Sequence, residues 1–215
     1  MTQLPEIHPQ ELSDDLSALS PEPLSPESLA ALARHYQELR RWSDRLALVG
    51  PASSHEVLPR HYGEALAALP LVPRRGVLVD IGSGAGFPGF VLAAARPELR
   101  VTLIEARAKK WSFLMAAARA ASAALPSLFC QCLNARVGDP LPRGFPETVD
   151  CITLRALRLP PEILSLLATR WTATGRFLFW VGAEDPPLPP DLRPGRELPL
   201  TGSRSRRVLE VVRAA

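Results

Sequence analysis

Hydrophobic and polar positions follow two different rhythms along this chain. In residues 25–49, Leu29, Leu32, Tyr36, Leu39, Trp42 and Leu46 recur at spacings of three or four, with Arg34, Arg40, Arg41 and Arg45 between them. That period puts the apolar residues on one face of a helix. Ser25 can cap it, Pro26 suits its first position and Glu27 suits the positive helix end. The stretch "HEVLPRHYGEALAAL" (55–69) resumes helical spacing, with Pro59 starting or kinking it. Residues 1–24 are rich in Pro, Ser and Glu and predict a poorly ordered extension.

From Gly76 the rhythm changes. Short apolar runs near 76–81, 100–105, 127–132, 148–154 and 175–181 read as strands, and helical spacing fits 87–95, 108–124 and 160–170. Such alternation predicts a mostly parallel sheet covered on both faces. "DPPLPPDLRPG" (185–195) is too proline-rich for regular structure, whereas "RELPL" and "RRVLEVV" flank a Gly-Ser-Arg turn and read as a closing antiparallel pair. The expected architecture is α/β and Rossmann-like: a seven-stranded sheet of the class I S-adenosylmethionine-dependent methyltransferase kind with an N-terminal helical extension. The predicted boundaries are 1–24 for the extension, 25–72 for the N-terminal helices and 73–215 for the sheet domain.

The candidate chemistry sits at "VLVDIGSGAGFPG" (77–89), a strand followed by Gly82, Gly84, Gly86 and Gly89. Glycines there let the backbone turn sharply and approach a ligand, while the next helix offers free N–H groups. Counted from Gly82 the motif is G-x-G-x-G, which suggests S-adenosylmethionine; counted from Gly84 it is G-x-G-x-x-G, which suggests a dinucleotide such as NAD. Asp80 favours the first count, because a carboxylate beside the glycines repels a pyrophosphate but suits a ligand carrying an ammonium and a sulfonium. Glu105 ends the next strand about 20 residues on, where an acid grips ribose hydroxyls in either ligand class.

Composition adds bounds. The chain has 215 residues, 47% hydrophobic and 22% charged, with a formal net charge of +3, and should be globular. Of its 25 cationic residues only Lys109 and Lys110 are lysines. Arginine forks suit phosphates and stacked bases, although a GC-rich genome gives the same bias. Cys130 and Cys132 share one face of a strand, and Cys151 lies in another; with no histidine at zinc spacing, no metal is expected and buried structural thiols are. The start lacks a basic, apolar leader, and no apolar run reaches the ~20 residues of a membrane span, so the cytoplasm is the expected compartment and no membrane partner is expected.

Acceptor types leave traces. No Asn/Asp-Pro-Pro-Tyr/Phe motif of adenine amino-methylases is present, and Cys151 in a strand does not suit cytosine C(5) chemistry. A guanine N(7) acceptor needs neither device, because its lone pair is already nucleophilic. From about Leu29 to Arg213 the chain resembles the RsmG (GidB) family of 16S ribosomal RNA guanine-N(7) methyltransferases, carried by "DIGSGAGFPG", "RPELRVTLIEARAKKWSFL", "RHYGEAL" and "ITLRA". The resemblance implies S-adenosyl-L-methionine as cofactor and 16S rRNA or the small ribosomal subunit as partner, acted on by a monomer. Asp80, Gly82, Gly84, Phe87, Glu105, Val137, Gly138 and Arg155 are the candidate cofactor residues. Arg60, His61 and Arg155 are the candidate acceptor residues, with Arg204, Arg206 and Arg207 as further candidates for RNA contact. No catalytic acid or base is assigned. Ser43, Ala47, Val49, Glu64, Ala65, Leu154 and Val181 stand where the family usually has other residues, several of them polar. A non-catalytic RNA-binding relative, a methyltransferase on another RNA or small molecule, and an NAD-dependent oxidoreductase remain as alternatives.

Overall fold

The computed structural model describes residues 4–50, 56–203 and 205–214. Helices α1 (Pro9–Ala18) and α2 (Pro26–Ser43) come first. A π-helical segment (Leu58–Gly63) then runs into a single helical turn, α3 (Glu64–Leu66). After it β1 (Gly76–Ile81), α4 (Gly89–Ala95), β2 (Leu99–Ile104), α5 (Ala108–Ser122) and β3 (Phe129–Leu133) alternate. β4 (Val149–Arg155), α6 (Pro161–Ala168), β5 (Trp171–Val181), β6 (Leu192–Pro199) and β7 (Arg207–Arg213) complete the chain.

The seven strands form one sheet in the order β3-β2-β1-β4-β5-β7-β6. β1 to β5 are parallel, and β7 runs antiparallel to both β5 and β6. Strand order reverses between β1 and β4, so the crevice for a ligand lies beyond the carboxyl ends of these strands. Alternate residues of β1 serve opposite faces. Leu78 packs with α1, α2, α4 and α5, whereas Val79 and Ile81 pack with α6 and the tryptophan end of β5.

The α/β class, the five parallel strands and the closing antiparallel pair agree with the sequence pattern. Three local expectations do not hold. The extension at 1–24 is not poorly ordered throughout: Leu12 and Leu16 lie on one face of α1 and are fully buried. Tyr36 Oη donates to the Pro5 carbonyl at 2.8 Å, and Glu22 pairs with Arg96 at 2.7 Å. Two leucines four apart were enough to seat a helix despite the polar composition around them. The proline-rich 185–195 stretch is not wholly irregular, because β6 begins at Leu192 and includes Pro194 and Gly195. β6 is an edge strand, where a residue without an N–H is tolerated, and its register against β7 shifts between Pro194 and Glu197. Finally, α2 stops at Ser43 rather than continuing to 49; Ser25 caps its start as predicted, accepting from Ser28 N at 3.1 Å.

Gly89 settles one ambiguity of the glycine motif. It opens α4 against β1, where an added Cβ would lie 2.4 Å from Asp80 Cβ and 2.6 Å from Leu103 Cδ2. Its task is therefore close helix–strand packing. Gly89→Ala should destabilise the protein by about 1–3 kcal/mol in urea unfolding, as overpacking does. Gly138→Ala, where a Cβ meets nothing within 4 Å, should stay within ~0.5 kcal/mol.

Candidate active site

The site begins where β1 ends. Gly82, Gly84 and Gly86 have φ of +74°, +58° and +83°, a region that side-chain-bearing residues rarely adopt, so the chain folds over the end of the sheet. Gly82 N and Ser83 N both donate to the Ile104 carbonyl, at 2.8 and 3.1 Å, and Gly84 N donates to Glu105 Oε2 at 2.9 Å. Glu105 Oε1 accepts from Arg107 N at 2.8 Å. One buried carboxylate thus joins the glycine turn to the approach of α5. Each of its oxygens keeps a further lone pair for a ligand hydroxyl.

A second brace comes from α2. His35 is fully buried, with Nε2 3.0 Å from the Ala85 carbonyl and Nδ1 2.6 Å from Tyr62 Oη. A carbonyl only accepts, so Nε2 carries the proton and Nδ1 accepts from the tyrosine. Burial pushes the His35 pKa down to about 3. The ring stacks on Phe90 at 4.3 Å and meets Phe87 edge-on at 5.4 Å. Sequence reasoning passed over His35; its only signal is a histidine directly beside the apolar stripe of α2.

Beyond these braces lies a cavity of about 660 Å³. Gly82, Ser83, Gly84 and Phe87 line it from the turn, Glu105, Arg107 and Lys110 from the β2–α5 junction, and Ala135, Arg136 and Val137 from the segment after β3. Arg155, Ala156 and Leu157 contribute from the end of β4, with Leu159, Pro160 and Ile163 beside them. Ala156 has φ of +54°, an uncommon value for alanine that the sequence did not signal.

The candidate residues are not all placed as predicted. Gly82, Gly84, Phe87, Glu105, Val137, Arg155 and His61 line the cavity together. Asp80 does not: it lies buried beneath the turn, its Oδ1 accepting from Thr153 Oγ1 at 2.6 Å. Burial pushes its pKa up to about 6, opposed by hydrogen bonds from Thr153, Ser83 and the Gly89 backbone and by the charge of Arg155. Strand parity explains the placement, since Asp80 shares the α4 face of β1 with Leu78. Gly138 also falls outside the wall, one residue past Val137.

Arg60 offers its carbonyl to Arg155, while its own guanidinium pairs with Glu56 at 3.6 Å. Arg155 Nη2 donates to that carbonyl at 2.9 Å and to Glu64 Oε2 at 2.8 Å. Arg206 pairs with the other Glu64 oxygen at 2.9 Å, and Arg207 is held by Asp185, Glu197 and the Gly182 carbonyl. These two arginines are therefore committed to protein acids, while Arg204 lies outside the described residues. His61 stacks on Phe87 with centroids 4.9 Å apart. Burial first, then the charges of Arg155 and Arg60, push its pKa down to about 3, so the ring is neutral near neutral pH. Burial pushes the Cys151 thiol up to about 12, which disqualifies it as a nucleophile. Cys130 and Cys132 are half-buried on the edge strand β3, less enclosed than predicted.

The wall suits a nucleoside. A Cβ at Gly84 would meet only the Gly82 carbonyl, at 3.7 Å, so there is open room beside the turn. Glu105 supplies an acid for hydroxyls, and Val137, Leu157, Leu159 and Ile163 supply apolar surface for a base.

Comparison with known proteins agrees. The family model for rRNA small subunit methyltransferase G matches residues 28–186. Ribosomal RNA small subunit methyltransferase G of Rhodopseudomonas palustris (strain HaA2) is 35% identical over 175 residues, 80% of this chain and 71% of that protein. The enzyme of the same name from Myxococcus xanthus (strain DK1622) is 34% identical over 184 residues, 85% of this chain and 78% of its own. Among solved structures, MtNAS in complex with MTA and tNA has a TM-score of 0.56 at 15% identity, over 88% of this chain and 76% of its own. The fibrillarin/Nop5p complex gives 0.53 at 17%, over 70% and 80%. At such identities these structures support the Rossmann-like fold alone.

The His35 brace makes stability depend on pH. Its folded pKa of about 3 lies below the ordinary 6.5, so its contribution is full above pH 6.5 and is lost as pH falls towards 3. His61 acts in the same direction and Asp80, raised from 3.8 to about 6, in the opposite one. Wild-type protein should lose stability from pH 7 to pH 5, His35 contributing up to ~1.4 kcal/mol per pH unit. In urea unfolding at both pH values, His35→Gln should show a shallower dependence; equal slopes would refute the role of this ring.

Proposed function

This chain belongs to the rRNA small subunit methyltransferase G family, and on that premise we propose that it methylates N(7) of a guanine in 16S rRNA. The observation that carries the reading is the braced glycine turn opening on a cavity at the β1/β4 crevice, within the matched residues. S-adenosylmethionine is the cofactor, and it supplies a methyl group already activated on a sulfonium.

The protein's part is positioning, because attack by a ring nitrogen in line with the departing sulfur needs no proton transfer. Gly82 and Gly84 would admit the backbone to the cofactor, Glu105 would accept from its ribose hydroxyls, and Phe87 and Val137 would pack against it. Arg155, fixed by Glu64 and the Arg60 carbonyl, orients the entering base. His61, neutral and stacked on Phe87, offers it a surface that does not repel the charge developing on the ring. Asp80 braces the turn from beneath, its carboxylate accepting from Thr153.

The departures from the family pattern leave this wall in place. Ser43, Ala47, Leu154 and Val181 do not line the cavity, and Ser43 Oγ donates to the Leu39 carbonyl at 2.7 Å. Glu64 keeps an acid beside Arg155 where aspartate is usual. The substrate is rRNA, and among the described residues no helix is long and apolar enough to cross a membrane. We take the enzyme to act as a monomer in the cytoplasm, where ribosomal subunits assemble.

Labelled methyl transfer to small subunits lacking the modification, followed by mapping of 7-methylguanine through strand cleavage, tests the reading; folded protein that transfers nothing would overturn it. Gly82→Asp should abolish binding of S-adenosylhomocysteine in calorimetry. It places a charged side chain at a left-handed position where even a Cβ lies 3.1 Å from Leu157 Cδ2.

A further inference from the structure

The arginines around the β4 side of the cavity are neutralised within the protein. Arg155 and Arg206 share Glu64, Arg158 pairs with Glu184, and Arg207 pairs with Asp185 and Glu197. The β2–β3 side is different. Arg45, Arg107, Lys109, Lys110 and Arg136 form no ion pair with any described residue. Both lysines of the chain are among them. Arg107, Lys110 and Arg136 line the cavity, while Arg45 and Lys109 line an adjoining groove of about 470 Å³ between α2 and α5. The acid of that groove, Glu38, is already engaged by Trp42 Nε1 at 3.0 Å and by Arg41 at 3.6 Å.

Helix energetics sharpen the contrast. Lys109 and Lys110 occupy the first turn of α5, which contains no acid, and Arg107 at its N-cap makes no side-chain capping bond. Cations there oppose the helix dipole and cost stability. No ion pair with a described residue offsets that cost, whereas an external polyanion would.

We propose that Arg45, Lys109, Lys110, Arg107 and Arg136 form a continuous docking track for the sugar–phosphate backbone of the rRNA, on the opposite side of the cavity from Arg155. The proposal rests on the rRNA reading above. Arg107, Lys110 and Arg136 hold phosphates next to the target guanosine, and Lys109 and Arg45 extend the path along the α2/α5 groove. Half-buried Trp42 in that groove presents an aromatic surface beside the strand, the combination that single-stranded nucleic acid favours.

The test removes only the groove charges, which do not touch the cavity. Arg45→Gln/Lys109→Gln should bind S-adenosylhomocysteine like wild type. It should bind naked 16S rRNA about tenfold more weakly at low salt, and the slope of log affinity against log salt should be shallower by ~0.7 for each phosphate no longer neutralised. The KM for the subunit should rise while kcat holds. Arg170→Gln/Arg193→Gln, which removes the same charge before β5 and from the edge strand β6, should change none of these. Unchanged RNA affinity and slope in the groove variant would overturn the track. So would equal losses in the two variants, which would make net charge the cause, or a loss on intact subunits without one on naked rRNA, which would make a ribosomal protein the partner. Wild-type protein that binds RNA through the track yet transfers no methyl would uphold the track and overturn the methyltransferase reading.

Discussion

The left-handed turn after β1 is the constraint on which the rest of the site depends. Three glycines at positive φ do not fold back over a sheet end on their own, because unconstrained glycine has more conformational freedom to lose than any other residue. Here neighbouring elements over-determine the turn. The end of β2 receives its first two amides, Glu105 receives the third, and His35 holds the Ala85 carbonyl from α2. Asp80 beneath and Gly89 behind fix its exit into α4. The N-terminal helices are therefore part of the ligand site, although no residue of α1 or α2 lines the cavity.

Arginine performs two separate tasks in this protein. Most of the interior-facing guanidiniums are structural. Arg96 ties the N-terminal extension through Glu22, Arg176 and Arg196 converge on buried Glu210, and Arg155 and Arg206 converge on buried Glu64. Such pairs contribute little net stability once desolvation is counted, but they specify geometry where a carboxylate has already been buried. Five of the described cations that form no ion pair, Arg45, Arg107, Lys109, Lys110 and Arg136, line the cavity or the neighbouring α2/α5 groove. An arginine-rich composition is thus a poor guide to nucleic-acid contact until the paired and unpaired cations are separated.

Much of the architecture was legible in the sequence. Strand runs, helical spacing and the glycine turn are local patterns whose period reports directly on backbone geometry. What misled was composition. Prolines and serines around α1 hid two leucines at helical spacing, and the prolines at 185–195 hid the start of an edge strand, where a missing N–H does no harm. At the site, Gly82, Gly84, Phe87, Glu105, Val137 and Arg155, which lie at or just beyond strand ends, line one cavity. Asp80 lies beneath the turn instead of in the wall, because strand parity puts it on the α4 face of β1 with Leu78.

By itself the sequence determined the order of elements, the parallel character of the central sheet and the ligand-sized turn at its centre, since each is encoded within a few neighbouring residues. Only the tertiary structure decided which polar groups face the ligand and which face one another. His35 reaches Ala85 across fifty positions, and Arg155 reaches Glu64 across ninety-one. Hydrogen bonds and ion pairs of that span depend on how helices lie on the sheet, and no local period carries that information. The same is true of the cations near α5: only the structure shows that they lack partners, because pairing is a property of the space around a charge.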